Sequence, residues 1–420
     1  MSSQEETLLG PYRVLDLTDE KGLLCGRILG DLGADVIQVE KPGGDPARSI
    51  GPFYYDDPHP EKSLFWFFQC MNKRSITLVI GTSEGREIFK QLVKTADFVI
   101  ESFPPGYMSS LGLGYGDLEK INPRIIVVSI TPFGQKGPYV QYKASDLTTW
   151  AMAGPMYLAG DPDRPPVRIS FPQAFLHAAA NAAVGALVAH YHREVSGEGQ
   201  HIDVSAQEAC SFIAMEAPAF WELLKVDIQR AGPGRDAPLP KGRARIRFVY
   251  PCKDGYVFYL APSVALMARA NRAWTDWLAS EGMSTEHLKV MGWPDLDLAQ
   301  LTPEGLDMMQ DTIGNFMMNH TKAELYEGAL HRDIPLVPVA SPRDVLENPQ
   351  MRERGFWMEV EHPDLGVALT YPGVWAKVTE APLTGWRPAP LIGEHNEDVY
   401  GKELGFSKEK MVTLKQAGVI

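Results

Sequence analysis

The chain has no Cys-x-x-Cys pair. Its four cysteines, Cys25, Cys70, Cys210 and Cys252, are scattered through 420 residues, so neither a zinc knuckle nor a dithiol redox motif is encoded. Such sparse usage points to a reduced, cytoplasmic protein. Basic residues are in deficit, 40 Lys and Arg against 53 Asp and Glu, for a net charge of −13. With no Lys/Arg-rich block to offset this, nucleic acid is not an expected partner, and an acidic coenzyme would need a local basic pocket. The N-terminus, Met-Ser-Ser-Gln-Glu-Glu, lacks a basic stretch followed by an apolar one, so no signal peptide is expected. The longest apolar helical run, Ala174–Ala189, is interrupted by His177 and Asn181 and followed by His190. It reads as a buried helix and not as a membrane span. Nucleotide-binding glycines are missing too. The turn after the first predicted strand is Asp19-Glu20-Lys21-Gly22, Gly112, Gly114 and Gly116 have the wrong spacing, and no GxxxxGK[ST] occurs. Nicotinamide binding needs such glycines for close approach of the backbone to pyrophosphate, and is disfavoured.

What is present is an ordinary globular composition, 45% hydrophobic and 22% charged, with disorder expected only at Met1–Leu9. The length exceeds one compact core. Strand and helix patterns alternate at first: strand Arg13–Thr18, helix Leu23–Leu32 ending at Gly33, strand Asp35–Glu40, strand Arg74–Val79, helix Gly85–Lys94, and strands Phe98–Glu101 and Ile125–Ile130. Continuous apolar strands alternating with helices predict a covered parallel sheet. Ser170 and Gln173 read as a capping box opening an alanine-rich interior helix that runs to about Val195 and stops at Ser196-Gly197. A strand at His201–Val204 and a helix from about Gln207 follow. The basic, Gly/Pro-rich stretch Arg230–Arg247 reads as a boundary or mobile loop. Beyond it come a hairpin over Phe248–Leu260 with an Asp-Gly turn, helical patterns at Ala265–Glu281 and Glu304–Glu327, and a strand at Ile334–Ala340 returning to the first lobe. A turn at Asp364-Leu365-Gly366, an extended piece at Tyr371–Val374 and a helical tail over Glu394–Ile420 complete the chain.

Several segments share one origin. The opening Val14-Leu15-Asp16, the run from Leu29 to Arg48, Asn72-Lys73-Arg74-Ser75, Glu101-Ser102-Phe103-Pro104-Pro105-Gly106, Tyr191-His192-Arg193-Glu194 and Gly197-Glu198-Gly199-Gln200 occur in order. Lys253-Asp254-Gly255-Tyr256, Ile334–Val339, Asn348–Gly355 and Leu391-Ile392-Gly393-Glu394-His395 follow. In number, order and spacing they resemble the family III (CaiB/BaiF, formyl-CoA-transferase-like) CoA-transferases over nearly the whole length. The resemblance implies an α/β fold: a large Rossmann-like domain with a parallel sheet, plus a small α+β domain, in an interlocked dimer. The large domain would comprise residues 1–229 and 331–420, and the small one residues 230–330.

The family's reaction uses a carboxylate to attack an acyl-CoA thioester. A mixed anhydride and then an aspartyl-CoA thioester form, so the enzyme needs a carboxylate nucleophile near a helix start. Alignment on Pro166-Val167-Arg168 and His192-Arg193-Glu194 puts Phe175 at that position, and a phenyl ring forms no anhydride. Gln173, Ala174, Leu176 and His177 offer no substitute. The racemase branch of the family would need a histidine where Ser145 stands. Asp146 is the nearest retained acid, readable either as a helix cap or as a stand-in nucleophile. The resemblance places Lys21, Lys41, Asn72, Lys73, Arg74, Phe103 and Lys143 at or near coenzyme contacts, where cations suit phosphates; the lysines also read as solvated surface. Ser102, Pro104 and Ser110 replace polar or cationic residues usual there. His177, His190 and His192 do not share a helix face and are expected to be structural, and no metal is expected. Trp66, Phe67 and Phe68 read as core.

Three functions remain. The first is the structural half of a heteromeric CoA-transferase, threaded through a paralogous catalytic chain and serving transfer from succinyl-CoA to an aromatic or alkyl-substituted succinate. The second is an active homodimer using Asp146. The third is a CoA-thioester-binding protein or lyase on the same fold.

Overall fold

The computed structural model describes residues 7–239, 241–259, 268–294, 301–373, 375–381, 383 and 385–420. Leu260, Ala265 and Val374, the ends of three predicted elements, lie outside these, as does Met1–Glu6. The chain divides into two compact units. One comprises Met1–Met156, Arg168–Lys225 and Gln350–Ile420, and the other Tyr157–Val167 and Val226–Pro349.

The first unit is built on a six-stranded parallel sheet of β1 (Arg13–Leu17), β2 (Asp35–Glu40), β3 (Lys73–Thr77), β4 (Phe98–Glu101), β5 (Ile126–Thr131) and β6 (His201–Ser205). Their order is β3-β2-β1-β4-β5-β6, all parallel. Burial of both faces makes the central strands β1, β4 and β5 largely apolar, while the edge strands β3 and β6 carry polar residues. Side chains alternate between the two sides. Leu15, Ile37, Val39, Val99 and Val127 enter one core, with Phe89 and Leu92 of the helix Ser83–Val93 and with the C-terminal Leu414, Val419 and Ile420. Val14, Val36, Phe98, Ile100, Ile126 and Val128 enter the other, under the helices Leu23–Asp31 and Ala174–Ser196.

Two buried charges cross this architecture. The Lys73 ammonium is wholly enclosed and donates to Asp16 Oδ2 at 2.8 Å, the Leu23 carbonyl at 2.9 Å and Gln38 Oε1 at 2.9 Å. Position 26 must be glycine, because a Cβ there would lie 1.9 Å from the Asp16 carboxylate.

The alanine-rich helix starts at Ala174 with Gln173 as N-cap, three residues later than expected, and ends at Ser196 with Gly197 left-handed (φ 81°). By length and apolar composition it could cross a membrane. Here Ala178, Ala182, Ala186 and Ala189 pack it against the sheet. It is not enclosed all round. Val184, Val188, Tyr191 and Val195, spaced four, three and four residues apart, form an exposed stripe, with Tyr191 75% exposed. The following helix, Glu216–Leu224, also exposes Phe220, Trp221, Leu223 and Leu224.

In the second unit, the stretch expected to be a boundary or loop forms an antiparallel hairpin of β7 (Gly234–Leu239) and β8 (Gly242–Arg247). Along β8, Ala244 and Ile246 point into a core while Arg243, Arg245 and Arg247 alternate with them. The arginines on the other face made a period-two strand look like a basic linker. The Asp-Gly hairpin forms β9 (Val249–Cys252) and β10 (Gly255–Tyr259). β11 (Leu336–Pro338) pairs with β10 in this same sheet, so the strand expected to return to the first lobe stays in the second unit, and the chain rejoins the first at Gln350. The long helical pattern after Glu304 divides into Pro303–Met317 and Lys322–Leu330, the latter opened by a Thr321/Glu324 capping box. A last hairpin, β12 (Trp357–His362) and β13 (Val367–Pro372), packs with Trp66 and Phe67 in the first unit.

Candidate functional site

The start of the helix Ala174–Ser196 is where a family nucleophile would stand. Phe175 is 7% exposed there and joins the apolar cluster under the sheet. No side chain from Ser170 or Gln173 caps the helix. Instead Asp146 does so from a distant element. Its two carboxylate oxygens accept the amides of Gln173 at 3.0 Å and Phe175 at 2.9 Å. A carboxylate taking two backbone N–H groups at a helix N-terminus satisfies orphan donors and meets the positive end of the helix dipole. Asp146 is itself the first residue of the helix Asp146–Met152, whose own cap is Ser145 through a box with Thr148. Expected to cap its own helix, which Ser145 does, Asp146 instead caps a helix 27 residues away in sequence. With both oxygens engaged, the carboxylate has lone pairs committed to the backbone.

The second feature lies at the carboxyl ends of β1, β2 and β4, where the strand order reverses. Open α/β sheets bind ligands at this switch point. A cleft of about 340 Å³ is lined there by Leu17, Asp19, Val39, Glu40, Lys41, Asp45, Ser102 and Phe103, among others. Its polar groups serve one another. Glu40 accepts Arg48 in a two-pronged pair at 2.7 and 2.8 Å and the Ser75 hydroxyl at 2.6 Å. Arg48 also pairs with Glu61 and lies over the Trp66 ring. Asp19 accepts the Ser102 hydroxyl at 2.7 Å and pairs with Lys21. Burial pushes the Asp45 carboxyl up to about 7, against the lowering effect of the Ala47 amide. Lys41 is exposed and has no ion-pair partner among the described residues.

Close by, the Glu101 carboxyl is pushed up to about 7 by burial, although Ser129 and the Phe103 amide hydrogen-bond to it. Ser129 Oγ in turn lies 2.9 Å from His201 Nε2, and the His201 ring stacks on Tyr115.

Comparison with known proteins decides the lineage. The profile of CoA-transferase family III matches residues 9–396. The chain belongs to CoA-transferase family III. Among curated family relatives, succinyl-CoA:(R)-benzylsuccinate CoA-transferase subunit BbsE of Thauera aromatica is 35% identical over 97% of both chains. The succinyl-CoA–L-malate CoA-transferase beta subunit of Chloroflexus aurantiacus is 31% identical over 98% of each chain. A CaiB/BaiF family protein from Brucella suis has the same fold, with a TM-score of 0.80 and 27% identity across 95% of this chain and 100% of that one.

The residues that family resemblance nominated for the coenzyme fall into three groups. Lys41 and Phe103 meet on the switch-point cleft, where Phe103 packs on Tyr107. Lys21 is tied to Asp19 at its edge. The motif Asn72-Lys73-Arg74 is not brought to the cleft. Asn72, in the left-handed region (φ 61°), bonds Asp31 and the Arg387 backbone. Lys73 is buried against Asp16, and Arg74 joins Asp35 to Glu403. The motif fastens the returning C-terminal segment to the sheet. Lys143 is exposed and stands alone among the described residues. Pro104 lines a small hollow beneath Glu101, and the Ser110 hydroxyl is turned back to the Tyr107 carbonyl.

The sequence reading missed the Asp146 clamp, the acids around the cleft and the Glu101–Ser129–His201 chain. Asp146 carried a signal, an acid next to a Ser-x-x-Thr cap, but nothing local shows which helix it serves. His177 stacks on Trp150, His190 packs edge-on against Tyr12, and His192 bonds Ser196, so the three imidazoles have separate roles.

Proposed function

We propose that this chain is the non-catalytic half of a heteromeric CoA-transferase, interlocked with a paralogous chain that carries the nucleophilic aspartate. The observation that carries the reading is the helix start. A buried Phe175 stands at the nucleophile position, and two of the amides at the helix start, those of Gln173 and Phe175, are already taken by Asp146.

The coenzyme groove supports the same reading. Phosphates of an acyl-CoA need cations that are free to pair. Among the cleft-lining residues Lys41 alone offers one, and Lys21, Lys73 and Arg74 are engaged within the chain. The exposed apolar stripe Val184–Val195 and the exposed face of Glu216–Leu224 suit a partner chain wound against them. Two of the relatives are named as subunits of succinyl-CoA-dependent transferases, which favours succinyl-CoA as donor and an aromatic or alkyl-substituted succinate as acceptor.

In this account the partner's carboxylate attacks the thioester and holds both covalent intermediates, while this chain completes the scaffold. Expression alone and with the paralogous chain tests it. The account expects transferase activity only from the pair, in an assembly containing both chains by native mass. A homodimer of this chain with full activity would end it.

A further inference from the structure

The nucleophile region is not simply closed. Segments 145–150 and 168–173 enclose a pocket of about 260 Å³ at the start of the alanine-rich helix. That is somewhat below the ~300–1,000 Å³ that drug-sized ligands occupy, so it suits a small acid and not a coenzyme.

Its lining is chemically lopsided. The Arg168 guanidinium is exposed and has no ion-pair partner among the described residues. The acid on the wall, Asp146, is held by two amide hydrogen bonds and does not pair with it. Apart from Ser145 and Gln173, the rest is apolar and partly flat: Trp150, Phe171, Ile169, Leu147 and Pro172. Phe171, Ile169 and Leu147 are 57, 50 and 45% exposed, while Trp150 is 7% exposed. The Trp150 indole N–H has no acceptor. His177 stacks near-parallel to that indole at 6.1 Å between centroids, which holds the ring in place.

We propose that this pocket binds a carboxylic acid with a flat apolar body, without covalent chemistry on this chain. The carboxylate pairs with Arg168, whose planar fork matches it in two-pronged geometry. The body lies against Trp150 and Phe171, which bury large apolar area at little entropic cost. It rests on the reading above only in taking a carboxylic acid as the ligand class. The site requires no nucleophile, and its occupancy is measurable without turnover.

The test uses the purified full chain, in its native assembly, titrated calorimetrically with 3-phenylpropanoate. Saturable binding is expected. Arg168→Gln, a substitution at an exposed side chain, should weaken it at least tenfold, and the uncharged 3-phenylpropanamide should bind the native chain at least tenfold more weakly than the acid. A native chain that shows no saturable binding overturns the site. So does an Arg168→Gln variant that binds the acid within twofold of the native chain. Neither result touches the non-catalytic reading, which falls instead if an acyl group becomes covalently attached to this chain.

Discussion

Asp146 illustrates how one acid can look like a nucleophile in sequence and act as a fastener in the fold. Its two amide bonds close the helix Ala174–Ser196 at the end where the interior cluster begins. Loss of such a cap costs about 1–2 kcal/mol. Asp146→Ala should therefore lower the unfolding free energy by about that amount in urea, and the active assembly should keep its chemical step. Lys73 makes a larger claim. If it were a coenzyme contact, its loss would alter binding. Buried against Asp16, its loss strands a carboxylate instead. Lys73→Met is expected to cost about 3–5 kcal/mol of stability, read by the same denaturation.

Protonation offers a third test at this scale. Glu101 and Asp45 have folded values of about 7, both raised by burial, from ordinary values of 4.5 and 3.8. Between the ordinary and the raised values the native chain holds protons that the unfolded chain has lost. Stability therefore falls as pH rises from about 4 through 7, and levels off above that. Glu101→Gln should flatten part of this decline in a pH series of melting temperatures; a slope identical to that of the native chain would reject the assignment. Only the capacity of Asp146 to cap was legible in the sequence, because each role depends on a partner brought by the fold: residue 173 for Asp146, residue 16 for Lys73, and enclosure itself for Glu101 and Asp45.

At the scale of elements, the parallel sheet was readable, since strands covered on both faces must be apolar along their length. Register, caps and edges were harder. The N-cap of the alanine-rich helix is Gln173 and not Ser170, since the deciding hydrogen bonds come from Asp146 on another element. The hairpin of β7 and β8 hid behind arginines that alternate with Ala244 and Ile246. β11 looked like a return strand because three residues carry no information about which sheet they join. The alanine helix also has two faces. Its small residues let it lie close on the sheet, and its opposite stripe, from Val184 to Val195, is exposed. Placing a charge in that stripe, as in Val188→Asp, should leave the isolated chain folded by circular dichroism. It should shift the native mass from the two-chain assembly toward single chains. An unchanged assembly would remove this face from the interface.

For the whole molecule, the family match spans residues 9–396, while the helix start carries a buried Phe175 whose amide is held by Asp146. Buried charge pairs stabilise this fold, and most polar groups around its switch-point cleft pair with one another, as the proposed architectural role expects. The resemblance in motif order announced the lineage, yet the Asn72-Lys73-Arg74 motif belongs to the closure of the fold and not to the cleft. The most direct test of the central claim is to treat the two-chain assembly with succinyl-CoA, trap the acyl-enzyme with hydroxylamine or borohydride, and map the modified residue by peptide mass. The account predicts modification on the partner subunit alone, with every peptide of this chain, including that of Asp146, unmodified. An adduct on Asp146, or on any other residue of this chain, would contradict it.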